Sequence, residues 1–151
     1  MLSLRSLLRI LVIVVFAMPV YAADSDEETP AETAKPDLET AKEFIDAKKF
    51  KEAIPHLRKA RAADGDNADI HNWLGYSYRK LEKFEKSMAS YNRALELNSE
   101  HKGALEYKGE LYLQMGKLAE AKKLQARLQE VCPSGCEELE DLDKAIAAYK
   151  P

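Results

Sequence analysis

A spacing of 34 residues recurs along this chain and limits its fold more than any other feature of the sequence. Leu57, Tyr91 and Gln125 share one position of this spacing, and Ala60, Ala94 and Leu128 share another. A period of this length is typical of helical arrays in which each unit is a pair of helices. Because one pair cannot bury its apolar face alone, neighbouring pairs must stack. The spacing therefore predicts an all-α fold of three helix-turn-helix units.

Small and bulky residues follow one another in a fixed order within each unit. Small residues recur where two helices must approach closely, and bulky apolar residues recur where a core must be filled. This alignment predicts units at residues 34–67, 68–101 and 102–135. The aligned sets are Ala41, Gly75 and Gly109; Phe44, Tyr78 and Tyr112; Phe50, Phe84 and Leu118; and Ala53, Ser87 and Ala121.

The middle unit carries the most specific pattern. Residues 72–78 read Asn-Trp-Leu-Gly-Tyr-Ser-Tyr, followed by Phe84, Tyr91 and the stretch Ala-Leu-Glu-Leu at 94–97. This pattern resembles the tetratricopeptide repeat (TPR) family, and the third unit matches it from Gly109 to Pro133. The resemblance implies a right-handed α-solenoid whose concave face binds a segment of another protein. His71 stands at the family's usual tryptophan position, two places before Trp73.

The first 22 residues have the pattern of a secretory signal peptide. Arg5 and Arg9 precede an apolar run over residues 10–18, and Val-Tyr-Ala at 20–22 offers small residues for a signal peptidase. The run is shorter than the roughly 20 apolar residues of a membrane span. We expect cleavage near Ala22, a periplasmic or secreted protein, and no integral membrane span in the mature chain. The alternative is an uncleaved anchor.

Residues 23–33 are acidic and carry no bulky apolar side chain, so we expect a disordered linker. Of the 23 basic and 26 acidic residues, two basic residues lie in the leader and five acidic residues in this linker, which leaves 21 of each. A domain without net charge gives no electrostatic reason to expect nucleic acid as its partner.

The last segment, residues 136–151, is predicted to be a capping helix. Ser134 and Glu137 have the spacing of a capping box. Leu139, Leu142, Ile146 and Tyr149 form an apolar stripe at helical spacing, while Glu140, Asp141, Asp143 and Lys144 lie on the predicted solvent face. Such a stripe covers the exposed apolar edge of the last repeat.

The inner face of the first helix of each unit is the predicted binding groove. At about 100° per residue, Trp73 and Tyr76 point away from the packing direction of Gly75. Exposed aromatic residues beside an arginine are typical of binding hot spots. The alternative is that Trp73 and Tyr107 pack against the neighbouring helix pair. The predicted groove residues are Lys42, Ile45, Asn72, Trp73, Tyr76, Arg79, Lys80, Glu106, Tyr107, Glu110, Leu113 and Gln114.

One use of the TPR family, the binding of the C-terminal carboxylate of chaperones, depends on lysine, asparagine and arginine at five groove positions. Here the resemblance places Leu38, Lys42, Trp73, Gly103 and Tyr107 at those positions. Only Lys42 is cationic, so we expect no such carboxylate clamp. A groove that mixes aromatic, aliphatic and charged residues better fits a peptide with both apolar and charged side chains.

Cys132 and Cys136 are the only cysteines and lie where the last repeat meets the capping helix. In an exported protein, two cysteines around a Pro-Ser-Gly turn favour a disulfide. The alternative is a thiol redox or copper(I) site, because a helix N-terminus lowers the pKa of a thiol and thiolates favour soft metal ions.

The sequence favours a non-enzymatic protein-interaction scaffold of the cell envelope that binds a peptide segment of a partner. We expect no catalytic residue, no cofactor and no resident metal, since no paired carboxylates, Ser/His pair or zinc-binding helix stands out. Two alternatives remain at this point. One is a thiol redox or copper-handling protein that uses Cys132 and Cys136. The other is a structural homo-oligomer that self-associates through the groove.

Overall fold

The computed structural model describes residues 29–150, which form seven α-helices and no strand. The predicted signal peptide and residues 23–28 of the predicted linker lie outside the described residues. The first helices of the three units are α1 (Pro30–Asp46), α3 (Ala68–Lys80) and α5 (Lys102–Gln114), and the second helices are α2 (Phe50–Ala63), α4 (Phe84–Leu97) and α6 (Leu118–Val131). A final helix, α7 (Glu137–Ala148), follows the third unit. The predicted all-α solenoid with three helix pairs and a terminal helix is confirmed.

The three first helices end in the same way. The residue after each helix cap has a positive φ: 58° at Lys48, 57° at Glu82 and 72° at Gly116. The next N–H then donates back to the carbonyl oxygen of Phe44, Tyr78 or Tyr112, at 2.7 to 2.9 Å. This is the Schellman arrangement, in which a left-handed residue satisfies the last carbonyls of a helix. The repeat thus fixes a tight turn into each second helix.

The small residues of the repeat permit close helix contacts. A Cβ atom added to Gly75 would lie 2.5 Å from the ring of Tyr91 on α4. A Cβ atom added to Gly109 would lie 2.7 Å from the side chain of Leu142 on α7. Both Tyr91 and Leu142 are fully buried. The lack of a Cβ atom at Gly75 and Gly109 therefore leaves room for the buried side chains of Tyr91 and Leu142.

The helix α7 takes the place that a first helix of a fourth unit would have. It contacts both α5 and α6, while α3 contacts α5. At the position where the earlier units have Leu57 and Tyr91, the third unit has Gln125, whose amide nitrogen donates to Asp143 of α7 at 2.7 Å. Because Gln125 does not fill the space above Gly109, Leu142 can. The capping helix is thereby locked beside α5.

Two expectations about helix ends are wrong. Helix α1 begins at Pro30, so residues 30–33 of the predicted disordered linker are helical. Thr29 caps this helix by accepting from the Glu32 N–H, and proline is favoured at the first helical position because it lacks an N–H. At the other end, α7 has Cys136 as its N-cap residue and no side-chain cap, so Ser134 does not form the predicted capping box.

None of the helices within residues 29–150 has the length and apolar character that crossing a membrane requires.

The left-handed turn positions allow a direct test of this backbone account. Glu82 is a non-glycine residue at positive φ, which is unfavourable for a residue with a Cβ atom. We expect Glu82→Gly to raise the free energy of unfolding by about 1 kcal/mol and Gly116→Ala to lower it by about the same amount. Urea unfolding followed by circular dichroism measures both. A lower stability of Glu82→Gly would contradict the account.

Candidate functional site

Three aromatic side chains meet on the face formed by the first helices. Trp73 and Tyr76 come from α3 and Tyr107 comes from α5. The ring centroids lie 4.8 Å apart for the two tyrosines, 5.8 Å apart for Trp73 and Tyr76, and 6.4 Å apart for Trp73 and Tyr107. All three side chains are half-buried. We call this group the aromatic cluster.

The aromatic cluster forms one wall of a cavity of about 440 Å³ on this face. Its other walls come from the end of α1, the start of α2 and the end of α3, so the cavity spans the first two units. Apolar and aromatic walls with a few charged groups at the edge are typical of sites that bind a side chain of a partner. We call it the aromatic pocket. Beyond the cluster it is lined by Ile45, Asp46, Lys48, Phe50 and Lys80.

Arg79 lies beneath the aromatic cluster. Its side chain is only 3% exposed, and its guanidinium pairs with the Glu110 carboxylate on α5 at 2.5 Å. The same guanidinium lies 5.3 Å from the Tyr76 ring centroid and 5.6 Å from that of Tyr107. Cation–π attraction at this range stabilises the rings above the ion pair. Arg79 therefore joins α3 to α5 and holds the two tyrosines in place.

The burial of Arg79 corrects one expectation. The helical wheel places Arg79 on the groove face, and an exposed hot-spot arginine was expected there. The wheel gives the direction of a side chain but not the rings that cover it. Arg79 and its partner Glu110 support the groove from below and do not form its surface.

A second cavity, of about 290 Å³, adjoins the first and lies between α3, α5 and α7. Trp73 and Tyr107 line both cavities, so the aromatic cluster separates them. We call the second cavity the acidic pocket, because no lysine or arginine of residues 29–150 lines it and five carboxyl side chains do. These are Asp69, Glu106, Glu137, Glu138 and Asp141.

Glu106 is the buried member of the acidic pocket. The residue is 6% exposed and makes no hydrogen bond or ion pair with any residue between 29 and 150. Burial, and then the nearby carboxylates of Glu110, Asp141 and Glu138, raise the pKa of Glu106 to about 8. Burial and the Glu106 carboxyl also raise the pKa of the neighbouring Tyr107 hydroxyl. The pocket floor thus holds an acid that keeps its proton near neutral pH.

Seven of the twelve predicted groove residues line the two pockets, and Arg79 and Glu110 lie beneath the aromatic cluster. Ile45, Trp73, Tyr76, Lys80 and Tyr107 line the aromatic pocket. Asn72 and Glu106 line the acidic pocket together with Trp73 and Tyr107.

Three other predicted groove residues lie in neither pocket. Lys42 pairs with Glu39 at 3.3 Å along the surface of α1. Leu113 is buried. Gln114 lies in a separate recess at the end of α5.

Sequence reasoning missed the contribution of α7 to this site. Asp141 was assigned to the solvent face of the capping helix, and Glu137 was assigned to a capping box at its N-terminus. Both residues, together with Glu138, line the acidic pocket. Their spacing places them on one face of a helix, which the sequence does show. What the sequence did not show is that this face turns toward α3 and α5.

The two cysteines lie together at the start of α7. Their Cα atoms are 6.0 Å apart, a spacing typical of disulfides, and the two sulfurs are within bonding distance. Cys132 is buried in a core cluster with Leu105, Leu128 and Leu142. No group of three or more histidine, cysteine, aspartate or glutamate residues within 29–150 is arranged to hold a metal ion.

The role given to Arg79 can be tested against its neighbour Lys80. Because Arg79→Ala would leave Glu110 without its partner, we expect it to lower the free energy of unfolding by about 3 kcal/mol. Lys80 is exposed, so Lys80→Ala is expected to change it by less than about 0.5 kcal/mol. Chemical unfolding of both variants measures the difference. Equal stabilities would show that Arg79 has no supporting role.

The Glu106 carboxyl gives a pH-dependent prediction. Its pKa is raised from the ordinary 4.5 to about 8, so the folded chain holds a proton that the unfolded chain releases. The contribution of Glu106 to the free energy of unfolding therefore falls as the pH rises from about 4.5 to about 8, and it is least favourable above pH 8. We expect Glu106→Gln to raise the melting temperature more at pH 9 than at pH 5. Thermal unfolding at both values measures this, and an equal or reversed effect would contradict it.

Comparison with known proteins agrees with this architecture. The family model described as tetratricopeptide repeat matches residues 38–100 and again residues 74–134. No match is found among curated proteins. Among solved structures, the first TPR domain of Spaghetti (RPAP3), bound to the HSP90 peptide SRMEEVD, is 26% identical with a TM-score of 0.68, covering 81% of this chain and 99% of that one.

Two further solved structures are similar. The second TPR domain of human RPAP3, in complex with the HSP70 peptide SGPTIEEVD, is 25% identical with a TM-score of 0.68 over 77% of this chain and 97% of that one. The Yersinia enterocolitica type III secretion translocator chaperone SycD shares the fold, at 18% identity and a TM-score of 0.69 over 78% of this chain and 83% of that one. Since the two family-model matches together span residues 38–134, the chain belongs to the tetratricopeptide repeat family.

Proposed function

We propose that this chain is an exported, non-enzymatic scaffold of the cell envelope that binds an extended segment of a partner protein across its two adjoining pockets. The aromatic pocket carries the proposal. Half-buried Trp73 and Tyr107 stand on the inner face of a TPR array, beside a cavity large enough for a bulky side chain. Tryptophan and tyrosine in such positions contribute most to the affinity of protein interfaces.

The ligands of the similar solved structures sharpen the proposal. Two of those TPR domains hold peptides that end in Glu-Glu-Val-Asp. At the positions that the family uses to hold such an acidic end, this chain has Leu38, Lys42, Trp73, Gly103 and Tyr107. The proposed mode of binding is the same, a peptide in a TPR groove, but here one pocket is aromatic with Asp46, Lys48 and Lys80 in its lining and the other is acidic. We therefore propose a ligand other than an acidic C-terminus.

Export is a separate part of the proposal. The segment of residues 1–22 has the order of charges, apolar residues and small residues that a signal peptidase requires. The Cys132–Cys136 pair agrees with it, since disulfides persist in oxidising compartments such as the periplasm. Together they favour a periplasmic or secreted protein over a cytosolic one.

The cysteine pair itself has a structural role in this proposal. Cys132 is buried among leucines of α6 and α7, and the pair closes the turn that leads into α7. Such a link fixes the start of the helix that forms one wall of the acidic pocket. Cys132 is buried and Cys136 is half-buried, and their link between the last repeat and α7 favours a structural role over a thiol redox or copper-handling one.

Removal of a single aromatic side chain tests the binding function. We expect Tyr107→Ala to weaken capture of the partner from an envelope extract about 30-fold, because Tyr107 lines both pockets. The matched control is Tyr112→Ala, which removes the same side chain from the same helix but outside both pockets. Its capture should equal that of the wild type. Affinity is measured on immobilised protein, with circular dichroism confirming the fold of each variant.

Two outcomes would contradict the proposed function. One is equal capture by the wild type and by Tyr107→Ala. The other is an equal loss in both tyrosine variants, which would place the binding surface elsewhere or make the loss a consequence of stability.

A further inference from the structure

The acidic pocket is unusual because its polar atoms are almost all hydrogen-bond acceptors. Five carboxyl side chains line it. The residues 29–150 that surround it supply one ring that can carry positive charge, His101, and that ring already contacts the Asp69 carboxylate at 2.9 Å. Asn72 adds a side-chain amide. A cavity of this composition offers many acceptors and few donors, and none of the donors is a lysine or arginine.

Two residues of the pocket are buried and carry acceptors without a partner in the described part of the chain. Asn72 is 4% exposed, and its Oδ1 atom is fully buried and makes no hydrogen bond there. Glu106, on the facing helix α5, is 6% exposed and makes no ion pair, and its carboxyl borders the pocket. A buried polar group without a partner lowers the stability of a fold. Such groups persist at sites that a ligand completes.

Ordinary structural roles account for the rim of the pocket but not for its floor. Glu137 and Glu138 lie in the first turn of α7, where acidic side chains interact favourably with the helix dipole. Asp69 has the same position in α3 and also contacts His101. Neither explanation applies to Glu106, which lies in the second turn of α5 and is buried. The unpartnered acceptors of Asn72 and Glu106 therefore need another cause.

We propose that the acidic pocket accepts a basic side chain, lysine or arginine, of the segment that the groove binds. This inference rests on the proposed function and specifies its ligand. An ammonium or guanidinium group carries only donors, and it supplies the hydrogen bonds that Asn72 and Glu106 lack. The carboxyl groups are not arranged as a metal-ion shell, which favours an organic cation.

The shared wall of the two pockets determines the pattern of the segment. Because Trp73 and Tyr107 line both cavities, a segment that crosses them has an apolar side chain in the aromatic pocket and a basic side chain in the acidic pocket. An extended chain advances about 3.3 Å per residue. The apolar and basic residues are therefore separated by only a few positions. The methylene groups of the basic side chain also pack on the aromatic rings.

Proton release would accompany this binding. Burial and the neighbouring carboxylates raise the pKa of Glu106 to about 8, and a bound cation would favour its carboxylate form. Affinity for a lysine-containing peptide should therefore rise from pH 6 to pH 8 and level off above that. In Glu106→Gln this rise of affinity with pH should vanish. The charged and titratable groups that face Glu106 are Glu110 and Tyr107 of α5, Asp69 and Arg79 of α3, His101, and Glu137, Glu138 and Asp141 of α7.

Selection from a random peptide library tests the inference without a known partner. Twelve-residue peptides displayed on phage are selected on the purified chain, and those whose binding is lost in Tyr107→Ala are kept as groove ligands. We expect them to share an apolar residue and, a few positions away, a lysine or arginine. Replacing that basic residue by norleucine in the synthetic peptide should weaken binding about 30-fold.

Variants of the pocket complete the test. In Glu106→Gln, and separately in the double variant Glu138→Gln with Asp141→Asn, the basic peptide and its norleucine form should bind with nearly equal affinity. The control is Glu140→Gln, which removes a carboxylate from the same turn of α7 outside the pocket and should keep the preference for the basic peptide.

The outcomes separate this inference from the proposed function. Groove ligands that lack a shared basic residue, or whose preference for it survives in both pocket variants, would overturn the inference and leave the groove as a binding site. A selection that yields no peptides sensitive to Tyr107→Ala would overturn the proposed function and the inference with it.

Discussion

Close helix packing at one position of the repeat determines how this molecule is built. Gly75 admits the ring of Tyr91, and Gly109 admits Leu142 of the capping helix, each in a space that a Cβ atom would occupy. The first contact packs α3 against α4 within the middle unit, and the second packs α7 against α5. The third unit has Gln125 where the second has Tyr91, and this change leaves room for α7 to dock. The same position of the repeat thus packs the two helices of the middle unit together and, in the third unit, docks the capping helix.

The groove depends on this stacking and on one ion pair beneath it. Arg79 of α3 and Glu110 of α5 meet under the rings of Tyr76 and Tyr107. A guanidinium in that position neutralises a carboxylate and attracts the faces of both rings. The cluster is therefore held in place before any ligand arrives, and preorganised side chains lose less entropy on binding. On one side of the cluster the surface is apolar, and on the other side it is acidic.

Much of the fold followed from the sequence because the repeat is local. The positions of Ala41, Gly75 and Gly109 gave the register of the repeat. The register in turn predicted the seven helices and identified those that line the groove.

The features that the sequence did not reveal depend on contacts between distant segments. Arg79 was expected on the surface because no pattern shows that Tyr107, from the next unit, covers it. Asp141 was assigned to solvent because helical periodicity separates the faces of α7 but does not show that an acidic face borders a cavity. Pro30 was assigned to a disordered segment because Pro and Glu are typical of linkers, but both are also favoured in the first turn of a helix.

We propose that a partner segment binds against the aromatic cluster, and Trp73 reports on this binding directly because the chain has one tryptophan. The most direct measurement is acrylamide quenching of tryptophan fluorescence in the free protein and in the protein saturated with a bound segment that lacks tryptophan. We expect the half-buried indole to be quenched in the free protein and protected in the complex. Quenching that is unchanged at saturation would show that the segment binds elsewhere on the molecule.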